Sequence, residues 1–326
     1  MYNPITLPPE CQADVLHDRD AKGRERTWMQ HKAEGQLLAV AYDLAGDPAR
    51  AARLRTCADS LAYSMDEAGK LHLQSAAFCR VRLCPVCQWR RSLKVYGQTI
   101  EIVRYLAEQR AAAGLKPFAY IMLTLTVPNV SGKELGSEIT AIHKGWQRIM
   151  QRASVRAAVH GWMRGTEVTR NAETGLYHHH IHAVLAVLPS YFTSRQYIRR
   201  DKWLQLWRDA TRNQSITQVD VRRCYGSAEA AAAEISKYTA KVSDYVRPDD
   251  VDTMQRTVEE LDRALAHRRF VAWGGCMKDA HRALCMDDAE DGDLLHIGED
   301  AEAVEQNAPM LIWDWVPGPR VYLRRK

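Results

Sequence analysis

Apolar positions along this chain recur in two periods, one helical and one alternating. Between Ser92 and Arg110, Leu93, Tyr96, Ile100, Val103 and Leu106 fall at helical spacing and predict a helix. Leu135 to Arg152 predicts another, with Lys144, Arg148 and Arg152 along one basic face. Ser194 to Arg212, with Trp203 and Trp207 four apart, the alanine-rich Ala228 to Asp244, and Thr253 to Arg269 follow the same period, as does Glu34 to Tyr42. Ala119 to Val127 is a β-branched, apolar run ended by Pro128-Asn129, which predicts a strand. Trp162 to Thr169 and Tyr177 to Leu188 predict two more, joined by a polar turn at Asn171 to Gly175. Thr217 to Arg223 predicts a fourth. The Trp162–Leu188 hairpin must be antiparallel, because its turn is too short for a crossover. The expected class is α+β (an α/β two-layer domain), an antiparallel sheet with helices packed on one side.

Composition narrows the partner. The 326 residues suffice for one large domain or two modest ones. No apolar run approaches the ~20 residues that span a bilayer, and Met1 to Glu10 lacks the pattern of a signal peptide, so a cytoplasmic protein with no membrane partner is expected. The net charge of +5 understates the basicity of the body. Nine carboxylates lie between Asp287 and Glu305, and without them 45 cations face 31 carboxylates, a balance of +14. Such an excess favours a polyanionic partner.

Three groups of residues carry chemistry. His180 and His182, at i and i+2 in a strand, point to one side. Glu167 on the neighbouring strand can lie alongside them, and two imidazoles with one carboxylate make a divalent-metal site with open positions. His178 falls on the same face as a further ligand or a supporting group. Glu234, Tyr238, Lys241 and Tyr245 form one polar stripe on the alanine-rich helix. A phenol with a pKa near ~10 needs a nearby cation and a polarised target to attack phosphorus. Lys241 supplies the cation and Glu234 can take a proton from an incoming nucleophile, so the set fits phosphoryl transfer through a phosphotyrosine at Tyr238. Finally, Cys79, Cys84 and Cys87, with Cys57 upstream, are thiolates suited to a structural zinc site. Arg80, Arg82, Arg90 and Arg91, with Trp89 between them, offer phosphate and base contacts around it.

These residues resemble a known family. Leu123-Thr124-Leu125-Thr126-Val127-Pro128-Asn129, then His180-Ile181-His182, then Glu234-x3-Tyr238-x2-Lys241 resemble, in order, the three motifs of rolling-circle plasmid replication initiators (Rep proteins) in the HUH endonuclease superfamily. The Cys79–Arg91 segment, Trp203-x3-Trp207-Arg208 and Trp273-Gly274-Gly275 fit further family patterns, and the resemblance runs over roughly residues 50–285. It implies an antiparallel HUH-type sheet with the histidine strand central, and Mg²⁺ or Mn²⁺ at His180, His182 and Glu167. It implies a metal-dependent, site-specific single-strand DNA endonuclease and strand transferase. Tyr238 would take the 5′ phosphate at a plasmid double-strand origin, presented as a single strand or extruded hairpin. The 3′-OH primer would serve a host DNA polymerase with a host helicase, and Glu234 would activate water at termination. The organisation expected is an N-terminal extension (1–50), a Cys-rich zinc- and DNA-binding element (51–100), an HUH nicking domain (101–285), and an acidic segment with a C-terminal tail (286–326). Two other readings share parts of this evidence: a mobilisation relaxase or single-strand transposase with the same chemistry, and a non-enzymatic zinc-dependent DNA-binding regulator.

Overall fold

The structure is a computed structural model and describes residues 12, 14–20, 22–224, 240, 242–247, 249–297 and 309–326. In chain order its main elements are α1 (Trp28–Leu44), α2 (Pro48–Thr56), β1 (Ser60–Met65), β2 (Leu71–Ala76), α3 (Pro85–Ala112), β3 (Ala119–Thr126), α4 (Leu135–Met150), α5 (Ala153–Ala158), β4 (Val159–Arg170), β5 (Tyr177–Val187), α6 (Arg200–Thr211), β6 (Val219–Arg223), α7 (Val251–Leu265), β7 (Val271–Gly275), α8 (Cys276–Ala283), β8 (Leu311–Val316) and β9 (Val321–Arg324). Backbone contacts divide the chain into two units. One gathers Met1–Lys94, Tyr245–Glu259 and Asp293–Lys326; the other gathers Val95–Asp244 and Glu260–Gly292.

The first unit is built on an antiparallel sheet of order β2-β1-β8-β9. Leu61 and Tyr63 of β1 and Trp313 and Trp315 of β8 turn inward, while Asp314 between the two tryptophans points out to Arg325. That alternation is the signature of a half-buried strand. Trp28, Leu38 and Tyr42 of α1 are buried. The indole of Trp28 and the hydroxyl of Tyr63 both donate to the buried Asp18 carboxylate, at 2.8 and 3.0 Å. Asp47 caps α2 by accepting from the Arg50 N–H, with Pro48 in the first turn. Residues expected as an N-terminal extension and a C-terminal tail thus supply α1, β8 and β9 to this core.

The second unit holds a five-stranded sheet of order β6-β3-β5-β4-β7, every pair antiparallel, with β5 central. The β4–β5 turn is set by Asn171, whose side chain accepts from the N–H groups of Glu173 and Thr174, and by Gly175 in the left-handed region (φ 70°). On one face, Leu123, Leu125, Ile181 and Leu185 pack under Ile142 and Trp146 of α4 and Trp203 and Trp207 of α6. On the other face, Met122, Met163 and Val184 meet Ile102 and Leu106 of α3 and Met277 of α8. Helices therefore cover both faces, not one as expected. The cause is in β3 and β5, whose even-numbered positions are also apolar at one end, at Met122 and Val184. The other end of that second face carries Thr124, Thr126, Glu167, His180 and His182.

The Gly274-Gly275 pair has a steric role. A Cβ on Gly274 would lie 2.2 Å from the Trp162 ring, and Gly275 (φ 56°) would strike the His160 carbonyl. Near its start, the acidic segment is structural. Glu290, 5% exposed, accepts from the N–H groups of Phe270 and Val271 at 2.6 and 2.8 Å and fixes the start of β7. Among the described residues no helix is long and apolar enough to cross a membrane.

Candidate metal centres and the tyrosine segment

Register alone brings the predicted triad together. Glu167 on β4 stands directly opposite His180 on β5, and His182 follows one pleat along on the same face. The two Nε2 atoms are 2.8 Å apart, and Glu167 Oε2 lies 3.4 and 3.3 Å from them. Bonds of about 2.1 Å at right angles place neighbouring ligands about 3.0 Å apart, so this facial set fits a divalent cation with open positions. Burial pushes the Glu167 carboxyl up, but hydrogen bonds and charge from His180 and His182 outweigh it and hold the group well below the carboxylate range. The pair of imidazoles therefore favours the carboxylate form of Glu167.

Supporting contacts orient the rings. Thr124 Oγ1 lies 3.0 Å from His182 Nδ1, which leaves Nε2 to face the ligand set. His178 stacks on His180 with ring centroids 4.9 Å apart and bonds Asn129 Oδ1 at 3.0 Å. It takes a supporting place beside the triad. Trp207 donates to the Thr126 carbonyl at 2.8 Å and holds the end of β3 that lies opposite His180. Sequence reasoning missed Thr124 and Asn129 as supports, although both lie in the Leu123–Asn129 motif. Trp203 and Trp207 are fully buried core residues.

Glu234, Tyr238 and Lys241 lie outside the described residues. Their described neighbours do meet β4. Ala240 forms a parallel bridge with Val168, next in sequence to Glu167, and Asp244 accepts from the Arg170 N–H at 2.9 Å. Tyr245, the second hydroxyl of the predicted stripe, is fully buried. It donates to the Leu83 carbonyl and accepts from Gln88 Nε2, both at 2.7 Å, and burial raises its pKa well above the normal phenol. A phenol so held is a structural post, not a nucleophile.

The four cysteines converge as the spacing suggested. Cys57 Sγ is 3.7 Å from Cys87 and 3.6 Å from Cys84, and Cys79 is 3.8 Å from Cys87. A tetrahedron of sulfurs about 2.3 Å from zinc has edges of about 3.8 Å. The N–H groups of Cys79 and Arg80 point at the sulfurs of Cys57 and Cys87 at 3.4 and 3.3 Å. The hydrogen bond to Cys79 drives the Cys57 thiol well up, and burial does the same to Cys84. Hydrogen bonds from Cys57, Cys79 and Cys84 hold Cys87 well down. Crowded sulfurs cannot all ionise alone, and a divalent cation would let all four do so. Lys32, fully buried, locks the Cys57 loop through the carbonyls of Arg55 and Cys57 and the Asp59 carboxylate.

The predicted DNA contacts divide. Arg80 is exposed, and Arg82 and Arg91 are half-buried. Trp89 and Arg90 are buried, which corrects their expected role: Trp89 packs edge-on against Trp28, and Arg90 donates to the carbonyls of Leu294 and Leu295. Neither has a surface to offer a nucleic acid.

Comparison with known proteins points to one family. A family profile described as "Replication protein" matches residues 70–323. The chain is 36% identical to a "Protein rep" of Bacillus amyloliquefaciens over 340 aligned residues, covering 96% of this chain and 98% of the relative. It is 31% identical to a "Protein rep" of Streptococcus pneumoniae serotype 2 (strain D39), covering 94% of each. A Staphylococcus aureus "Replication protein" is 32% identical over 60% of this chain and 87% of its own. No solved structure matches.

Proposed function

The chain belongs to the replication-protein (Rep) family, and on that premise we propose that it initiates rolling-circle replication of a plasmid by nicking one strand of the double-strand origin. The observation that carries the reading is the convergence of Glu167, His180 and His182 on one sheet face, beside the bridge that anchors the chain two residues past Tyr238. A purely DNA-binding regulator has no use for that triad.

A bound Mg²⁺ or Mn²⁺ would polarise the scissile phosphate and offset charge on the leaving oxygen. The chain's own residues do the rest. Glu167 supplies a negative ligand, and Thr124 and His178 keep the two imidazoles turned toward the place the cation would take. Tyr238 attacks phosphorus in line, its phenolic proton passes to solvent, the P–O3′ bond breaks, and the 3′ oxygen takes a proton from solvent to become the 3′-OH primer end. Lys241 stabilises the phenolate or grips a phosphate oxygen. At termination Glu234 takes a proton from the water that frees the 5′ phosphate. Cys57, Cys79, Cys84 and Cys87 hold Zn²⁺ and fix the loop that presents Arg80, Arg82 and Arg91 to DNA. Host helicase and polymerase use the strand end so produced.

The test is to incubate the full chain with Mn²⁺ and a randomised pool of single-stranded oligonucleotides. A band that survives denaturant is isolated, and the cross-linked peptide is identified by mass spectrometry. A phosphotyrosyl adduct on Tyr238 is expected, absent in Tyr238→Phe and retained in Tyr245→Phe. An adduct on any other residue, or undiminished adduct in Tyr238→Phe, refutes the assignment.

A further inference from the structure

The basic face of α4 takes no part in the chemistry above, because it lies on the wrong side of the sheet. Ile142 and Trp146 pack α4 on the face that carries Ile181 and Leu185, whereas His180 and His182 point from the other. A hollow of about 510 Å³ opens on the outer side of this helical layer. Its walls are His143, Lys144 and Gln147 of α4 and His267, Arg268 and Arg269 of the turn after α7.

The turn is rigidly held. Arg268 donates to the carbonyls of Gly136 and Ala264 at 2.9 and 2.8 Å and to Thr140 Oγ1 at 3.3 Å, which ties the turn to α4. His267 adopts the left-handed region (φ 55°), so the backbone there is committed to one shape. Lys144, Gln147 and His267 are exposed at the rim. Arg269 is ion-paired with Asp288. Behind the hollow, Arg164 is buried and donates to the Thr166 hydroxyl and the Phe270 carbonyl. Burial, followed by the charges of Arg164 and Arg268, holds His143 neutral down to about 3. One helical turn along α4 the same sign continues at Arg148, which is exposed and donates to the Ala210 carbonyl at 2.7 Å, and Arg152, also exposed, follows in the turn between α4 and α5.

We propose that this surface, centred on Lys144 and running through Arg148 to Arg152, grips backbone phosphates of double-stranded DNA on the side of the sheet opposite the metal triad. The proposal rests on the reading of the chain as an origin-nicking initiator and adds to it a second, duplex-holding contact. Charge complementarity names the occupant: surface cations with amide donors from Gln147 suit phosphate oxygens. The lining residues include no Trp, Tyr or Phe, so nothing there offers the broad platform on which unpaired bases stack. The contact is therefore to the backbone and independent of sequence.

The experiment measures binding of the full chain to a short duplex of arbitrary sequence, by fluorescence anisotropy across a salt series. Removing two phosphate contacts with Lys144→Ala/Arg152→Ala should flatten the slope of log affinity against log salt by about 1.8, at about 0.9 per contact. Adduct formation on the single-stranded pool should stay at the parent level. A duplex slope equal to the parent's overturns the proposal. An equal loss in duplex binding and single-strand adduct also overturns it, because the surface would then serve the cleaved strand. A saturable ATP site lost in Lys144→Ala, with the duplex slope intact, makes the hollow a nucleotide pocket and overturns it too. The milder Lys144→Gln/Arg152→Gln pair, checked by thermal melting, guards against misfolding. If the parent forms no adduct, the nicking reading fails, while the duplex slope still reports on this surface.

Discussion

Replacing Trp207 with Phe tests whether the helical layer holds the end of β3 in place. The indole is fully buried and its N–H donates to the Thr126 carbonyl at 2.8 Å. Thr126 lies opposite His180 in the β3–β5 register, so this bond secures the strand beside the triad. Trp207→Phe removes the donor and leaves a half-buried acceptor short of a partner, which costs about 1–3 kcal/mol. The smaller ring also leaves about 40 Å³, worth about 1 kcal/mol at ~24 cal/mol per Å³. Together the loss is roughly 2–4 kcal/mol. Urea unfolding should show a lower midpoint with an unchanged slope, since the surface exposed on unfolding is the same. Calorimetric titration with Mn²⁺ should show affinity weakened by less than about tenfold, because no ligand is touched. A stability loss below about 0.5 kcal/mol would refute the reasoning, for it would mean that the indole fills space and holds nothing.

Thr124→Val should weaken Mn²⁺ binding by about 10–100-fold with little change in melting, and Thr124→Ser should restore it, because only the hydroxyl orients His182. Cys84→Ser, or exhaustive chelation, should remove one zinc per chain by elemental analysis and lower the melting temperature by roughly 10 °C or more, since metal binding is folding energy in such a cage. Tyr245→Phe should keep nicking activity and cost about 1–3 kcal/mol in urea unfolding, because Leu83 and Gln88 lose their shared partner. For His143, the unfolded chain takes a proton near 6.5 and the folded ring only near 3. Stability therefore falls as pH drops through that window, by up to about 1.4 kcal/mol per unit. His143→Gln should flatten the fall measured by unfolding at successive pH values.

The five-stranded sheet was legible because its strands announce themselves. Ala119–Val127 and Tyr177–Leu188 are β-branched and closed by proline, and Asn171 with Gly175 fixes the turn that sets the Glu167–His180 register. Two sulfurs in a Cys-x2-Cys knuckle, with two more nearby, were enough to foresee the cage. The four-stranded sheet of the first unit was missed. β1 and β2 are short and rich in Ser and Ala, with no strong apolar alternation. β8 did carry a signal in Trp313-Asp314-Trp315, but it lay behind an acidic run that drew attention to charge. Trp89 and Arg90 were misjudged because an Arg-rich stretch looks the same whether its cations face solvent or cap buried carbonyls. Only burial tells the two apart.

Closure of the first sheet has a consequence for biosynthesis. β1 is covered by β8, and the Tyr322 hydroxyl reaches the Ala58 carbonyl from 264 positions away. At about 5–20 residues per second, a ribosome needs roughly 10–50 s to deliver Tyr322 after Ala58. Through that interval the nascent polypeptide carries Cys57 beside an uncovered strand edge, open to mispairing. A message cut short before Leu311 yields a product whose Cys57 loop never gains its partner strand, a mark that cellular proteases can recognise. Translation through to β9 is thus a condition for the four-cysteine cage to be sealed.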